Sequence, residues 1–530
     1  MFKNHPKGLI AAALANMGER FGFYTMMAIL VLFLQTKFGL DGSTAGLIYS
    51  TFYFSIYILA FVGGIIADRT RNFNGTILAG LLFMALGYVL IAIPTPTPVP
   101  DSSYALMLTL TCAGLFVIAF GNGLFKGNLQ ALVGKMYDNE KYDKMRDSGF
   151  SIFYMFINVG AIFAPLMAVA VRNWWVKANG FIYNPDAPTW CHGLLSGVLD
   201  GEGKESLSNF AASVGQGDVP LEQFANDYLN VFTTGFHYAF MCAIVAMMIS
   251  LWIFLANKKK FPGVAKKNDD KKADAATKPA VEMSVGEIRQ RMYALFAVFG
   301  VVIFFWFSFH QNGLTLTMFA KEFTDLSAMK INLGFTSIEG AEVFQSINPL
   351  CVVLLTPIIV GLFGWLRARN MEPTAPGKIA IGMGIAALGF VVMAIGSYVA
   401  DLPLWSELFA KSVDPVTGKE VVSVVKVLPE AAKVTPFLLI GTYVILTIAE
   451  LFISPLGISF VSKVAPPQYQ GVMQGGWLAA TAIGNQLLFI GAILYEHIPI
   501  WMTWTVFVVA CTLSMCTMLV MLKWLDRVTK

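Results

Sequence analysis

The sequence predicts an all-helical membrane protein whose twelve spans fall into two bundles of six. Three observations predict it. The 530 residues are 56% hydrophobic and only 13% charged, whereas an ordinary soluble domain is about 25% charged. Mean hydropathy is +0.64, so lipid must solvate much of the apolar surface. Twelve apolar runs reach the roughly 20 residues that a bilayer crossing needs, and one lysine-rich stretch separates the first six from the last six.

The first run, 8–36, is too long for a signal-peptide core and lacks a small-residue cleavage site, so it reads as an uncleaved span. It carries Asn16, Glu19 and Arg20 at i, i+3 and i+4, which predicts one helical face presenting all three. The second, 44–67, has Tyr49, Tyr53 and Tyr57 along one face, and Tyr49 and Tyr53 read as packing. The third is 74–93, and the fourth, 104–134, carries Lys126. The fifth, 147–171, holds Asn158 among apolar neighbours, and the sixth is 230–256. Residues 257–285, with Lys258, Lys259, Lys260, Lys266, Lys267, Lys271 and Lys272, read as a solvated tether between halves at 1–256 and 286–530. The seventh run, 290–320, contains Trp306, His310 and Gln311; the eighth, 340–366, contains Asn348; the ninth is 377–400. The tenth, 435–463, contains Glu450 and Ser454, the eleventh, 469–496, contains Trp477, and the twelfth is 498–523.

Charge orients the chain. Arg69, Arg71, Lys135 to Arg146, Arg367, Arg369, Lys463 and the tail from Lys523 all fall on the side of the tether, which places that side and both termini in the cytoplasm. The opposite loop at 172–230 holds seven acids against three Lys or Arg. The outer segment Lys411–Val427 has turn signals at Asp414-Pro415 and Thr417-Gly418 beside a valine-rich alternation, which predicts a small hairpin.

An ion at mid-bilayer costs roughly 2.5–3.5 kcal/mol on insertion scales, so Glu19, Arg20, Lys126 and Glu450 are expected to face a polar cavity. Unusual polar residues sit on spans one, four, seven and ten, which are equivalent in successive groups of three. Six-plus-six chains place their binding sites near the midplane between the halves. The net charge of +4 is too small to imply nucleic acid. Five of the six cysteines lie in apolar runs and Cys191 is alone in a loop, so neither a disulfide framework nor a metal site is expected. No HExxH, Walker A or GxSxG pattern is present, and no enzyme or cofactor chemistry is expected.

Four segments resemble the proton-dependent oligopeptide transporter family of the major facilitator superfamily. Glu19-Arg20-Phe21-Gly22-Phe23-Tyr24 resembles ExxERFxYY on the first span. Gly64 to Arg69 resembles the GxxxADR turn after the second, with Tyr57 eleven residues before Asp68. Phe153 to Gly160 matches FYxxINxG on the fifth. Glu450 to Gly457 resembles the tenth-span motif, supported by Lys126 in GNGLFKGN. The resemblance implies a major facilitator fold and secondary active import of di- and tripeptides by proton symport, in a bacterial inner membrane and as a monomer. It implies that Arg20 and Lys126 hold the peptide carboxylate, that Glu450, Asn158 and Asn348 hold the amino terminus, and that Tyr24, Tyr57, Trp306 and Trp477 line side-chain pockets, with His310, Gln311 and Ser454 beside them. Glu19, His310 and Glu450 are the implied proton carriers, and Glu450, or the substrate carboxylate when bound, is the implied partner of Lys126.

The departures carry information. The first acid of ExxER is Asn16, the first Tyr of the YY pair is Phe23, a second basic residue on the first span is replaced by Met27, and an acid on the seventh by His310. In the family the last two positions resemble an ion-paired outer gate. Losing both together predicts a gate that closes by packing and hydrogen bonding, because losing one would strand a buried charge. Two alternatives stay open: the same fold carrying nitrate or another small anion read by protonated His310, or a facilitator or peptide sensor with weakened proton coupling.

Overall fold

The computed structural model describes residues 5–138, 141–142, 145–261, 283–413, 420–466 and 469–529. Among the described residues, twelve helices are long and apolar enough to cross a membrane. In the amino-terminal half these are α1 (Leu9–Phe38), α2 (Gly42–Thr70), α3 (Phe73–Ala92), α4 (Asp101–Met136), α5 (Arg146–Ala178) and α6 (Leu221–Ala256). In the carboxy-terminal half, α7 (Val285–Phe309) continues through a 3-10 turn, His310–Gly313, into Thr315–Phe323. There follow α8 (Ile347–Ala368), α9 (Ala375–Val399), α10 (Pro436–Val464), α11 (Gln470–Gln486, continuing as Leu488–His497) and α12 (Ile500–Thr529). Most of the expected tether, at 262–282, lies outside the described residues.

Local chemistry sets several boundaries. Gly39 ends α1 in the left-handed region at φ 65, and the Asp41 side chain then caps α2 by accepting from Thr44 N at 2.8 Å. Asn72 caps α3 in the same way through Gly75 N at 2.9 Å. The turn expected at Gly64–Arg69 is instead helical, and α2 runs on to Thr70, with Arg71 at φ 53 making the turn. The acidic loop beyond α5 also carries structure, in helices Ala187–Leu195 and Gly201–Ser213. The predicted hairpin is present as strands β3 (Phe409–Val413) and β4 (Glu420–Val424), paired antiparallel, although its turn signals fall outside the described residues. It is preceded in the chain by a smaller pair, β1 (Ile331–Asn332) with β2 (Ser337–Ile338).

Within the amino-terminal half, α3 and α2 pack on α4, and α1 packs on α5 and α6. Gly63 and Gly123 let α2 and α4 touch backbone to backbone, since a Cβ at Gly63 would collide with the Gly123 carbonyl. In the other half, α9 packs on α10 and α12, and α7 on α11 and α12. The halves meet where α2 packs on α11 and α5 on α8.

Hydrogen bonds joining the halves cluster at the midplane and at the end bearing the hairpin, here called the loop side. Ser346 Oγ donates to Ile162 O at 2.8 Å, and Thr336 Oγ1 to Ala170 O at 2.7 Å. Lys411 of the hairpin donates to Asp41 of one half and to Glu496 of the other, the latter at 2.9 Å. Burial pushes the Asp41 carboxyl up, but hydrogen bonds from Lys411 and Thr44 outweigh it and hold it below the usual carboxylate range.

Candidate substrate site

Between the halves lies a cavity of about 240 Å³ whose walls come from α1, α2, α4 and α5 on one side and α7, α8 and α10 on the other. Of the residues singled out by sequence, Arg20, Tyr24, Tyr57, Lys126, Asn158, Trp306, His310, Asn348, Glu450 and Ser454 line it. Ionisable groups from both bundles therefore converge on one chamber.

Arg20 points into the cavity and folds back on its neighbour. Its Nε and Nη2 donate to the two oxygens of Glu19 at 2.6 and 2.7 Å. Glu19 itself is fully buried and does not line the cavity. Successive helical residues stand about 100° apart, so Asn16 and Arg20 share the cavity face while Glu19 turns towards α4. There Asn122 Nδ2 donates to Glu19 Oε1 at 2.6 Å. The single face expected for all three residues is thus split.

Lys126 Nζ stands 4.5 Å from the centre of the Tyr57 ring, a cation–π contact. The expected Lys126–Glu450 ion pair is not formed, and among the described residues no carboxylate pairs with Lys126. Glu450 Oε2 instead accepts from Asn348 Nδ2 at 2.9 Å, and the same amide donates to Thr447 Oγ1 at 3.0 Å. Asn158 Nδ2 donates one turn back to Tyr154 O at 3.0 Å.

His310 is held on three sides. Its ring stacks on Trp306 (centroids 4.8 Å apart, planes 19° apart) and lies 4.7 Å from the Tyr53 ring. Nδ1 is hydrogen-bonded to Asn485 Oδ1 at 2.5 Å. Met27, 4% exposed, lines the same cavity.

Two expected binders lie elsewhere. The 3-10 turn after Phe309 swings Gln311 away from the cavity towards α11, where its Nε2 donates to Phe307 O and Leu488 O, both at 3.2 Å. Trp477 is 3% exposed and packs on Phe299 and on Gly457, where any Cβ would collide with its ring. Conversely, Tyr49 and Tyr53, read as packing, contribute to the cavity wall, as do Gln130, Tyr154 and Gln345. Sequence reasoning missed Gln130 and Tyr154; Gln130 is one helical turn beyond Lys126 and Tyr154 one turn before Asn158, and that spacing was the signal that could have found both.

A family model described as the POT family matches residues 74–278 and 264–502. The chain is 27% identical to the peptide transporter YePEPT of Yersinia enterocolitica, over 91% of this chain and 87% of that protein. It is 25% identical to dipeptide and tripeptide permease B of Aliivibrio fischeri, over 90% and 84% respectively. Among solved structures, a peptide transporter POT in complex with sulfate superposes with a TM-score of 0.68 at 23% identity, covering 100% of this chain and 96% of that one. A POT family transporter in complex with 5-aminolevulinic acid superposes with a TM-score of 0.69 at 21% identity, covering 100% and 98%. The twelve helices thus adopt the major facilitator fold of those transporters, and the chain belongs to the POT family.

Proposed function

We propose that the protein imports di- and tripeptides by proton symport with alternating access. One observation carries the reading: the cavity sets cations from one half, Arg20 and Lys126, against a carboxylate from the other, Glu450. A peptide zwitterion has the complementary charges at its two ends. Lys126, with no carboxylate partner among the described residues, takes the peptide carboxylate together with Arg20. Glu450, with Asn348 and Asn158, takes the amino terminus. Tyr24, Tyr57, Trp306 and Ser454 face the substrate side chains, as do Tyr53 and His310. Contacts to the ends give affinity without choosing a side chain.

The halves, proposed as 1–256 and 286–530, rock about the site in an inner membrane, with the lysine-rich side in the cytoplasm. The bridges between them at the loop side hold the two halves together at that end. Glu19 and Glu450, with His310, are the proposed proton carriers. A proton arriving at Glu19 frees Arg20 for substrate, and one arriving at Glu450 prepares that half for release. One proton supplies about 1.4 kcal/mol per pH unit and about 2.3 kcal/mol per 100 mV, enough for roughly hundredfold or greater accumulation.

Proteoliposomes with an imposed pH gradient test this directly. Labelled dialanine is expected to accumulate, unlabelled dipeptide to compete with it, and a protonophore to abolish the accumulation. Uptake that persists unchanged with the protonophore refutes symport. Competition by nitrate and not by dipeptide refutes the peptide reading.

The Met27–His310 pair gives a separate prediction. Met27→Arg sets an unpaired cation in a wall 4% exposed and is expected to lower uptake at least tenfold, the order set by stranding a buried charge. Adding His310→Glu supplies a partner and is expected to recover part of the loss. Equal initial rates in the single and double variants would show that the two positions do not work together.

A further inference from the structure

The small ribbon β1–β2 ends in a tip that the transport reading above does not use. Residues 331–335 read INLGF, and Gly334 at φ 80 makes the turn. Gly334 N donates to Asn332 Oδ1 at 2.9 Å and Leu333 N to Thr336 O at 2.9 Å, so local bonds fix the shape of the tip. Its apolar side chains are left uncovered. Ile331, Leu333 and Phe335 are 53%, 46% and 69% exposed. Among the described residues outside the twelve spans, no other run of five leaves three large apolar side chains open. Such a patch marks a contact surface.

The end of α5 holds the tip at a defined height. Beside the bond from Thr336 to Ala170 O, Asn173 Nδ2 donates to Ser337 O at 2.9 Å and Lys177 Nζ to Gly334 O at 2.5 Å. The loop then runs on to Glu342, which accepts from Arg172 of α5. The tip is therefore level with the last two turns of α5.

That level is the edge of the hydrocarbon. On α6 the exposed apolar residues run as far as Leu255, and Lys258–Lys260 follow. A hydrocarbon core about 30 Å thick takes about 20 helical residues at 1.5 Å each, so the far edge falls at about residue 235 of α6. Tyr238 lies one turn inside that edge, and its ring meets Trp175 of α5 edge-on at 4.7 Å. The exposed stripe of α5, through Phe163 and Met167, reaches Trp174 at the same height. Tryptophan and tyrosine gather at membrane edges because one end of the ring is apolar and the other polar.

Charge agrees with this placement. Lys177 is exposed, and among the described residues no carboxylate pairs with it. A lysine standing beside apolar side chains at this depth extends its ammonium to the phosphate layer. Lys330, at the other end of the tip, is bridged to Glu339 at 2.8 Å and adds no free cation.

We propose that the tip at 331–335 is a lipid-docking surface. Ile331, Leu333 and Phe335 sink into the loop-side edge of the bilayer next to Trp174, and Lys177 holds the phosphate of a phospholipid. The patch continues the lipid-facing stripe of α5, which selects a phospholipid over a soluble partner. The tip belongs to the carboxy-terminal half and Lys177 to the other, so a lipid seated there spans the seam between bundles. The proposal requires that the chain crosses a bilayer and not that it carries peptide.

The experiment uses the full chain with its six cysteines replaced and a nitroxide at Phe335→Cys, in vesicles of phosphatidylethanolamine and phosphatidylglycerol. The readout is the ratio of collision rates with oxygen, which enters lipid, and with a polar nickel complex, which does not. Ser208→Cys, exposed on the outer helix Gly201–Ser213, sets the value in water, and Leu354→Cys, exposed on α8, sets it in lipid. The ratio at Phe335→Cys is expected to be severalfold above that at Ser208→Cys. Leu333→Cys is a second reporter, read in the same way. Lys177→Glu, which sets an acid against the phosphate, is expected to lower the ratio at the tip, and Lys177→Arg to leave it unchanged. A ratio equal to that of Ser208→Cys places the tip in water and overturns the docking surface. A label reached by neither collider is covered by a second copy of the chain, which also overturns it. A ratio unmoved by Lys177→Glu overturns the phosphate contact.

Discussion

Lys126→Ala is expected to lower the initial rate of dialanine uptake tenfold to a hundredfold at low substrate concentration. Hydrogen bonds to a charged group contribute about 1.5–3 kcal/mol, and each 1.4 kcal/mol is a factor of about ten. The ammonium qualifies for the upper end because it rests on the Tyr57 ring and, among the described residues, has no carboxylate to leave. Its charge is therefore available to substrate, where a paired lysine would first have to break its bridge. Lys126→Arg keeps the charge and is expected to retain more uptake than Lys126→Ala. A concentration series on parent and variants in proteoliposomes checks this. Rates for Lys126→Ala within twofold of the parent would remove Lys126 from the site.

The second large effect concerns folding. Glu19→Ala leaves Arg20, 4% exposed, without its bidentate partner and takes the acceptor from Asn122. Breaking a buried pair by removing one member costs about 3–5 kcal/mol, a large fraction of a membrane bundle's stability margin. Glu19→Gln keeps one acceptor for Asn122 and is expected to cost less. Replacing both partners, as in Glu19→Leu/Arg20→Met, leaves no stranded charge and is expected to restore most of the melting temperature. That double variant is nevertheless expected to be inactive, because Arg20 lines the cavity. Thermal melting in detergent, read beside uptake, separates the two roles. A double variant that folds and transports would show that Arg20 serves only the fold.

The charges were the legible part of this sequence. Arg20, Lys126 and Glu450 stand out because hydrocarbon makes an ion conspicuous, and all three line one cavity. The spans were legible for the same reason, since each is a long apolar run. Direction within a span was harder to read. His310 and Gln311 are adjacent, and in the 3-10 turn that follows α7 the imidazole enters the cavity while the amide turns to α11. Trp477 is withdrawn by a close approach to Gly457 that no residue pattern announces. Tyr49 and Tyr53 could not be told from packing until the turn after α7, with His310 and Gly313, was set opposite them. The bridges at the loop side were out of reach altogether. Arg172 and Glu342 are 170 residues apart, and Lys411 meets Asp41 across 370. Nothing in local spacing links such partners.

The contact of Gly63 with Gly123 constrains how the amino-terminal half deforms. Two backbones that abut with no side chain between them leave no lubricating layer, so neither can slip lengthwise without steric overlap. Strain generated by substrate capture cannot dissipate as shear inside that block. It passes instead with the α2–α4 pair to the seam where α2 meets α11.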